Sequence, residues 1–189
     1  MGRRKTVSDH ALLDSLLAAM EQAGPDAFSF SKASAAVGLA PATLVQRFGS
    51  RGAMIEAILL HAWDRLDEAT ALADTETSPD AAGAIAMLMR LLPAAEADQD
   101  IADGLLLLRE DFKNPALRMR GQAWGAYLAS ALGGRLTDQP EVAERLGWQM
   151  ASLWQGALIW SAFGQDADRE SAIRTTLEDW CMSIGVTKA

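Results

Sequence analysis

The sequence predicts an all-α fold, with an N-terminal three-helix domain containing a helix-turn-helix at residues 1–51 and a larger helical domain at 52–189. Half of the 189 residues are hydrophobic, which is enough for a sizeable core and argues against disorder. Apolar residues recur with a helical period almost throughout. The sequence contains no β-rich run and no fixed-period repeat.

The first two helices are predicted from an apolar stripe and from capping residues. Gly24-Pro25 ends the first helix, whose stripe consists of Leu12, Leu13, Leu16, Leu17 and Met20. Ser31 is a favourable N-cap for a short second helix at 32–37. Gly38 then breaks that helix and permits a tight reversal.

The third and fourth helices complete a helix-turn-helix pattern over residues 31–48. Pro41 suits the first turn of a helix that runs to about Phe48, and Ser50 caps a long helix after it. Two short helices around a glycine turn are what a helix-turn-helix requires, with Ala35 at the crossing and Leu39 and Leu44 beneath. Such pairs also occur in many other helical proteins, so the pattern leaves DNA binding open.

Three dipeptides place proline at the start of a helix in the second half of the chain. They are Ser78-Pro79, Asn114-Pro115 and Gln139-Pro140. Gln139 is a poor cap, so we expect Asp138 to serve there. The predicted helices span roughly 79–92, 101–111, 115–132, 140–163 and 168–184.

The charge is distributed unevenly along the chain. The formal net charge is −8; residues 1–51 hold six Lys or Arg and four Asp or Glu, a net +2, which leaves −10 for the remainder. A basic N-terminal part on an acidic body confines any contact with DNA phosphates to that part. Chance asymmetry in a short segment would give the same numbers.

Composition also bears on the compartment. Cys181 is the only cysteine, so no intrachain disulfide forms and a reducing compartment is natural. No long apolar run follows the basic N-terminus, so we expect no signal peptide. Nowhere do about eighteen consecutive apolar residues predict a membrane span. We therefore expect a cytoplasmic protein that does not insert into a membrane.

The sequence offers little to an enzyme. His10 and His61 are far apart and lack the spacing of metal ligands, and Cys181 lies on an apolar helix that suggests a core thiol. Gly133-Gly134 is a lone glycine pair rather than a phosphate loop. We predict no catalytic residue, no metal and no cofactor.

Residues 8–66 resemble the DNA-binding domain of TetR-type transcriptional regulators over its whole length. The matching positions are Leu12, Leu13, Ala18, Gly24, Phe30, Ser31, Val37-Gly38-Leu39, Thr43-Leu44, Phe48 and Arg51. The resemblance implies a homodimer that binds a palindromic operator in double-stranded DNA. It further implies a repressor that leaves DNA when a small apolar effector binds the C-terminal ligand-binding and dimerisation domain.

The resemblance also implies which residues contact DNA. These are Ser31, Lys32, Thr43, Gln46, Arg47 and Arg51. Some positions depart from the family pattern: Ala40 replaces a capping Ser or Thr, Val45 a phosphate-binding Tyr, Arg47 a His or Tyr, and Gly52 an acidic residue. An alternative is therefore a TetR-like dimer that binds a ligand or a protein and has lost specific DNA binding.

In the C-terminal domain, aromatic and flexible side chains suggest an adaptable apolar pocket. The candidate ligand-binding residues are Met87, Leu105, Leu108, Trp124, Tyr127 and Trp154. Two apolar seams on the last helices match the four-helix dimer interface of TetR-type proteins. They consist of Leu146, Met150, Leu153, Ala157 and Trp160, and of Ile173, Leu177 and Trp180. Ordinary packing within one chain would explain both sets as well.

Overall fold

The computed structural model describes residues 8–92, 107–163 and 168–186, and all regular structure in these ranges is helical. The all-α prediction is therefore confirmed. The helices are α1 (Asp9–Ala23), α2 (Phe30–Val37), α3 (Pro41–Phe48), α4 (Arg51–Glu76), α5 (Ala81–Arg90), α6 (helical residues 107–113), α7 (Pro115–Leu136), α8 (Pro140–Ser161) and α9 (Arg169–Ser183).

The predicted start of α2 is wrong by two residues. Ser29, not Ser31, is the N-cap, and its hydroxyl accepts a hydrogen bond from the Lys32 amide at 3.3 Å. Both serines suit the role; the fully buried Phe28 beside Ser29 anchors the chain immediately before the helix. The shift changes which small residue faces the core, because Ala33 is fully buried whereas Ala35 is exposed.

The sequence predicted a proline at the first position of three later helices, and the structure has it there in two of them. Pro115 and Pro140 occupy first helical positions, but Pro79 precedes α5, whose cap is the carboxylate of Asp80 at 2.8 Å from the Gly83 amide. Asp138 does not replace Gln139, because α8 begins without a side-chain cap. A carboxylate satisfies an amide at a helix start more strongly than the Ser78 hydroxyl would.

The chain forms two compact units. The first unit comprises residues up to Arg65 together with 102–120, and the second comprises 66–101 together with residues from Gly121 onward. These units are defined by packing. The predicted division into a DNA-binding domain at residues 1–51 and a ligand-binding domain at 52–189 is a functional one and stays a prediction. Both α4 and α7 contribute residues to each unit.

The first unit packs α1, α2 and α3 against the start of α4. Its largest fully buried side chains include Phe28, Leu44 and Ile58. Leu117 of α7 is buried in the same core, so residues beyond the first four helices take part in it. Burial of this kind contributes about 1.5–3 kcal/mol for each large apolar side chain.

The second unit depends on a close approach between α7 and α8. A Cβ atom on Gly147 would lie 1.8 Å from the carbonyl oxygen of Ala129, and one on Gly133 would lie 2.1 Å from that of Ala143. Only glycine leaves room for a neighbouring backbone at such distances. The two helices therefore meet through their main chains.

Arg135, near the end of α7, ties together the last turn of α4 and the turn after it. Its guanidinium donates to the Asp74 carboxylate at 2.6 Å, to the Asp74 and Ser78 carbonyl oxygens, and to the Thr77 hydroxyl. Burial alone raises the pKa of Asp74, but hydrogen bonds from Tyr127 and Arg135 outweigh it, and the pKa lies below its ordinary value. Asp74 is therefore held as a carboxylate.

Candidate nucleic-acid interface

The turn between α2 and α3 has the geometry of a helix-turn-helix. Gly38 adopts φ +69°, a left-handed conformation that favours glycine. Its amide donates to the Ser34 carbonyl at 2.9 Å, and the Ser34 hydroxyl donates to the Leu39 carbonyl at 2.6 Å. Leu39 is partly buried and Leu44 fully buried beneath the helix pair, as the sequence predicted.

The exposed surface of α3 carries polar residues around the buried Leu44. Thr43, Gln46 and Arg47 are all exposed, and Ser31 and Lys32 are exposed in the first turn of α2. The structure thus places five of the six predicted DNA contacts on the accessible surface of the helix pair. Their contact with DNA stays a prediction.

The N-terminus of α3 has the weakness that the sequence indicated. Ala40 provides no side-chain hydrogen bond to the first turn, so the helix depends on Pro41 at its first position and on packing of Leu44. Val45, which stands in place of a tyrosine, is 44% exposed and offers no hydrogen-bonding group to a phosphate.

Arg47 is not free on the surface of α3. It forms an ion pair with Asp9 in the first turn of α1, and its guanidinium carbon lies 5.9 Å from the centre of the Phe48 ring. The described residues give Arg47 no other hydrogen-bond partner. Local sequence patterns could not indicate this pair, since 38 residues separate its members.

Arg51 has an internal role that the sequence analysis missed. Its guanidinium donates to the carbonyl oxygens of Phe28 at 2.6 Å, Pro25 at 2.5 Å and Asp26 at 2.9 Å. These carbonyls belong to the segment between α1 and α2, where the Pro25 oxygen also accepts from the Phe28 amide at 3.3 Å. Through Nε and Nη2, Arg51 therefore holds the segment before α2 against the start of α4.

We expect Arg51→Met to lower the free energy of unfolding by about 2 kcal/mol, because it keeps the aliphatic stem and removes three hydrogen bonds from a charged donor. Urea denaturation followed by circular dichroism measures the change. Arg65→Met is the matched control, because Arg65 makes an exposed ion pair with Asp14 and such pairs contribute little. Equal stability of the Arg51 variant and the wild type would contradict this assignment.

Two histidines that lie far apart in the sequence meet in the first unit. His61 of α4 is 5% exposed, and its Nε2 lies 2.9 Å from the Asp14 carboxylate of α1. The His10 ring packs edge-on against the His61 ring, with 5.5 Å between the two ring centroids. The hydrogen bond with His61 is the first cause that holds the pKa of Asp14 below its ordinary value. Within the described ranges, no set of three potential ligands could hold a metal ion.

Within the first unit, α6 forms polar contacts with α4 and with the segment between α1 and α2. Arg109 pairs with Asp26 at 2.8 Å, and this bond lowers the pKa of Asp26. The Trp63 indole donates to Asp111 at 3.1 Å, yet burial raises the pKa of that carboxyl. These bonds connect α6 to α4 and to the segment between α1 and α2.

The predicted ligand-binding residues are dispersed. Met87, Trp124 and Trp154 are buried in the second unit, whereas Tyr127 is 43% exposed and donates its hydroxyl hydrogen to Asp74. Leu108 is 38% exposed and belongs to the first unit. Leu105 lies outside the described residues. Trp124 donates to the buried Thr70 hydroxyl at 2.9 Å, but the Trp154 indole nitrogen has no partner among the described residues.

The predicted dimer seams divide into an inner and an outer part. Leu146, Met150, Ile173 and Leu177 are buried within the chain itself, so these four side chains are covered without a second copy. Trp160, by contrast, is 73% exposed, and Leu153, Ala157 and Trp180 are partly exposed. The regular spacing of apolar residues along each helix therefore includes both side chains of the inner core and side chains of the outer surface.

A groove follows the outer part of the seam between α8 and α9. One section of about 850 Å³ includes Trp148 and Trp180 in its lining, and another of about 480 Å³ includes Gly156 and Trp160. Ser152 and Leu153 line both sections, which makes the groove continuous. A Cβ atom on Gly156 would meet nothing within 4 Å.

Two further features concern the predicted core thiol and the predicted absence of a membrane span. Cys181 is 4% exposed, and burial raises the pKa of its thiol, which agrees with the predicted core position. Among the described helices, none is both long and apolar enough to cross a membrane.

The described helices include an N-terminal helix-turn-helix, and solved structures define the fold more narrowly. A transcriptional regulator from Rhodococcus sp. Rha1 superposes with a TM-score of 0.76 at 16% identity, covering 96% of this chain and 100% of its own. The TetR-family regulator PfmR from Thermus thermophilus gives a TM-score of 0.61 at 19% identity, with 94% and 99% covered. The chain has the fold of TetR-family transcriptional regulators.

Comparisons of sequence give no match, whereas comparisons of structure do. No model of a protein family matches the chain, and no curated protein matches it. A Saccharomonospora viridis protein assigned as a transcriptional regulator, solved in complex with choline, superposes with a TM-score of 0.72 at 16% identity over 94% of this chain and 96% of its own. At such identities the likeness shows the fold.

Proposed function

We propose that the protein is a DNA-binding transcriptional repressor that acts as a homodimer on a palindromic operator and is released by a small effector. The observation that supports this most is α3, which buries Leu44 and exposes Thr43, Gln46 and Arg47. A helix of this kind in the major groove brings such side chains to base edges. Gln46 is suited to adenine, and Arg47 to guanine or phosphate.

We further propose that residues 1–51 are the DNA-binding domain and 52–189 the ligand-binding and dimerisation domain. The first segment carries the net +2 and the second the net −10, so DNA phosphates attract one end of the chain and repel the rest. Ser31 and Lys32, exposed at the start of α2, supply an amide, a hydroxyl and an ammonium group for phosphate contact.

The dimer is proposed to form through the α8–α9 groove of two copies. The groove is apolar in part, is continuous, and carries the exposed Trp160; an exposed indole of this size is a typical anchor of an interface. A two-fold dimer would cover the same surface on both copies and would present two α3 helices to half-sites about one helical turn apart.

Release is proposed to follow from an effector that binds the C-terminal domain and prefers the state unable to bind DNA. Only a difference in affinity for the two states can drive such a switch. The proposed effector-binding residues in the second unit are Met87, Trp124 and Trp154, which are buried, and Tyr127, which is partly exposed.

The test is selection of bound duplexes from a random pool at near-physiological salt, followed by sequencing. We expect an enriched palindrome, and we expect Gln46→Ala to weaken binding to it about tenfold by relaxing one base position. Gln22→Ala is the matched control, since Gln22 is an exposed glutamine of α1.

A folded, dimeric protein that enriches no sequence would contradict the proposed function. It would favour the alternative in which the chain binds a ligand or a protein without specific DNA recognition. The missing cap at Ala40 and the internal bonds of Arg51 are the features that this alternative would explain.

A further inference from the structure

We infer that Asp9 is a positioning residue for Arg47 and thereby sets the sequence specificity of the recognition helix. The inference rests on the proposed function, since it concerns how Arg47 reads DNA. Its basis is the ion pair between the first turn of α1 and the last turn of α3.

Both partners of this pair are held by fixed backbone. Ser8 caps α1 by accepting from the Ala11 amide at 3.3 Å, and a carboxylate in the first helical turn is favoured by the helix dipole. At the other end, the Gly49 amide closes α3 on the Val45 carbonyl at 2.8 Å. The backbone positions that carry the carboxylate and the guanidinium are therefore both set by closed helix ends.

The pair leaves most of the guanidinium available. Asp9 contacts Arg47 through a single nitrogen, Nη2, whereas arginine carries five N–H donors in a planar fork. The Phe48 ring lies beside the same group at 5.9 Å. A guanidinium restrained on one edge and open on the other is suited to bidentate recognition of guanine, because less side-chain entropy is lost on binding.

The charge of Asp9 has a second consequence. The carboxylate is 80% exposed and lies next to the surface proposed to face DNA, so it repels phosphates. Asp9 therefore lowers affinity for every sequence while sharpening the choice among them. These two effects have opposite signs when Asp9 is neutralised, which distinguishes positioning from a purely structural role.

The experiment compares Asp9→Asn with the wild type on the duplex selected by the wild type, on its single-base variants and on a scrambled duplex. We expect Asp9→Asn to bind the scrambled duplex more tightly and to lose about tenfold in discrimination at one base pair. Arg47→Ala should lose discrimination at the same base pair. The double variant should lose no more than Arg47→Ala alone.

Glu21→Gln is the matched control, because Glu21 is an exposed acid of the same helix, about 18 Å further along it. It removes one charge and should leave discrimination at that base pair unchanged. Unchanged discrimination in Asp9→Asn, or losses that add in the double variant, would overturn the inference. If the wild type enriches no duplex, the proposed function fails, and this inference fails with it.

Discussion

Gly147→Ala is expected to destabilise the protein by about 3 kcal/mol, although it adds a single methyl group to a helix. The new Cβ would lie 1.8 Å from the Ala129 carbonyl oxygen and 2.7 Å from its carbon. Because these are main-chain atoms, α7 and α8 must move apart, and overpacking of this kind costs about 1–3 kcal/mol or more. Thermal and urea denaturation measure the loss.

Gly134→Ala is the control for this prediction. Gly134 lies on α7 next to Gly133, but a Cβ atom there would meet nothing within 4 Å. Alanine is the better helix former by about 0.8–1 kcal/mol, so this variant is expected to gain stability. If Gly147→Ala were as stable as Gly134→Ala, the proposed contact between main chains would be wrong.

Gly156→Leu is expected to separate the proposed dimer without unfolding the subunit. A side chain at this position meets open space within one chain and enters the groove between α8 and α9, where the second copy is proposed to dock. Overpacking there of about 1–3 kcal/mol corresponds to a dissociation constant raised roughly 5- to 150-fold. Sedimentation equilibrium over a range of concentrations measures it.

Gly134→Leu serves as the matched control for dimerisation, since it places the same side chain at an exposed position outside the groove. Circular dichroism should show both variants as helical as the wild type. A Gly156→Leu protein that dimerises like the wild type would place the interface elsewhere. Loss of DNA binding in step with the dimer would support recognition of two half-sites.

The helices could be predicted from the sequence because their signals are local. Gly24, Gly38 and Gly49 all end helices with positive φ, and Pro115 and Pro140 begin them. The start of α2 could not be determined, because Ser29 and Ser31 satisfy the same local rule and the choice depends on burial of Phe28. That burial is a property of the packed core.

Contacts between distant parts of the chain were beyond prediction. The sequence marked Arg47 and Arg51 as exposed cations for DNA, but it contained no sign that Asp9 or the Pro25 carbonyl would receive them. The spacing of Leu146 and Met150 indicated an apolar face without saying whether the partner is the same chain or another. Such questions are decided by tertiary packing, which one sequence does not reveal.

The two buried tryptophans of the second unit, Trp124 and Trp154, differ in a way that hydrogen–deuterium exchange would detect. Trp124 and Trp154 are similarly buried, at 8% and 5% exposed, but only the Trp124 indole has an acceptor among the described residues, the Thr70 hydroxyl. The indole proton of Trp154 is thus protected from deuterium by exclusion of solvent alone. Its exchange rate reports how often water enters the core of the second unit, with the proton of Trp124 as an internal reference.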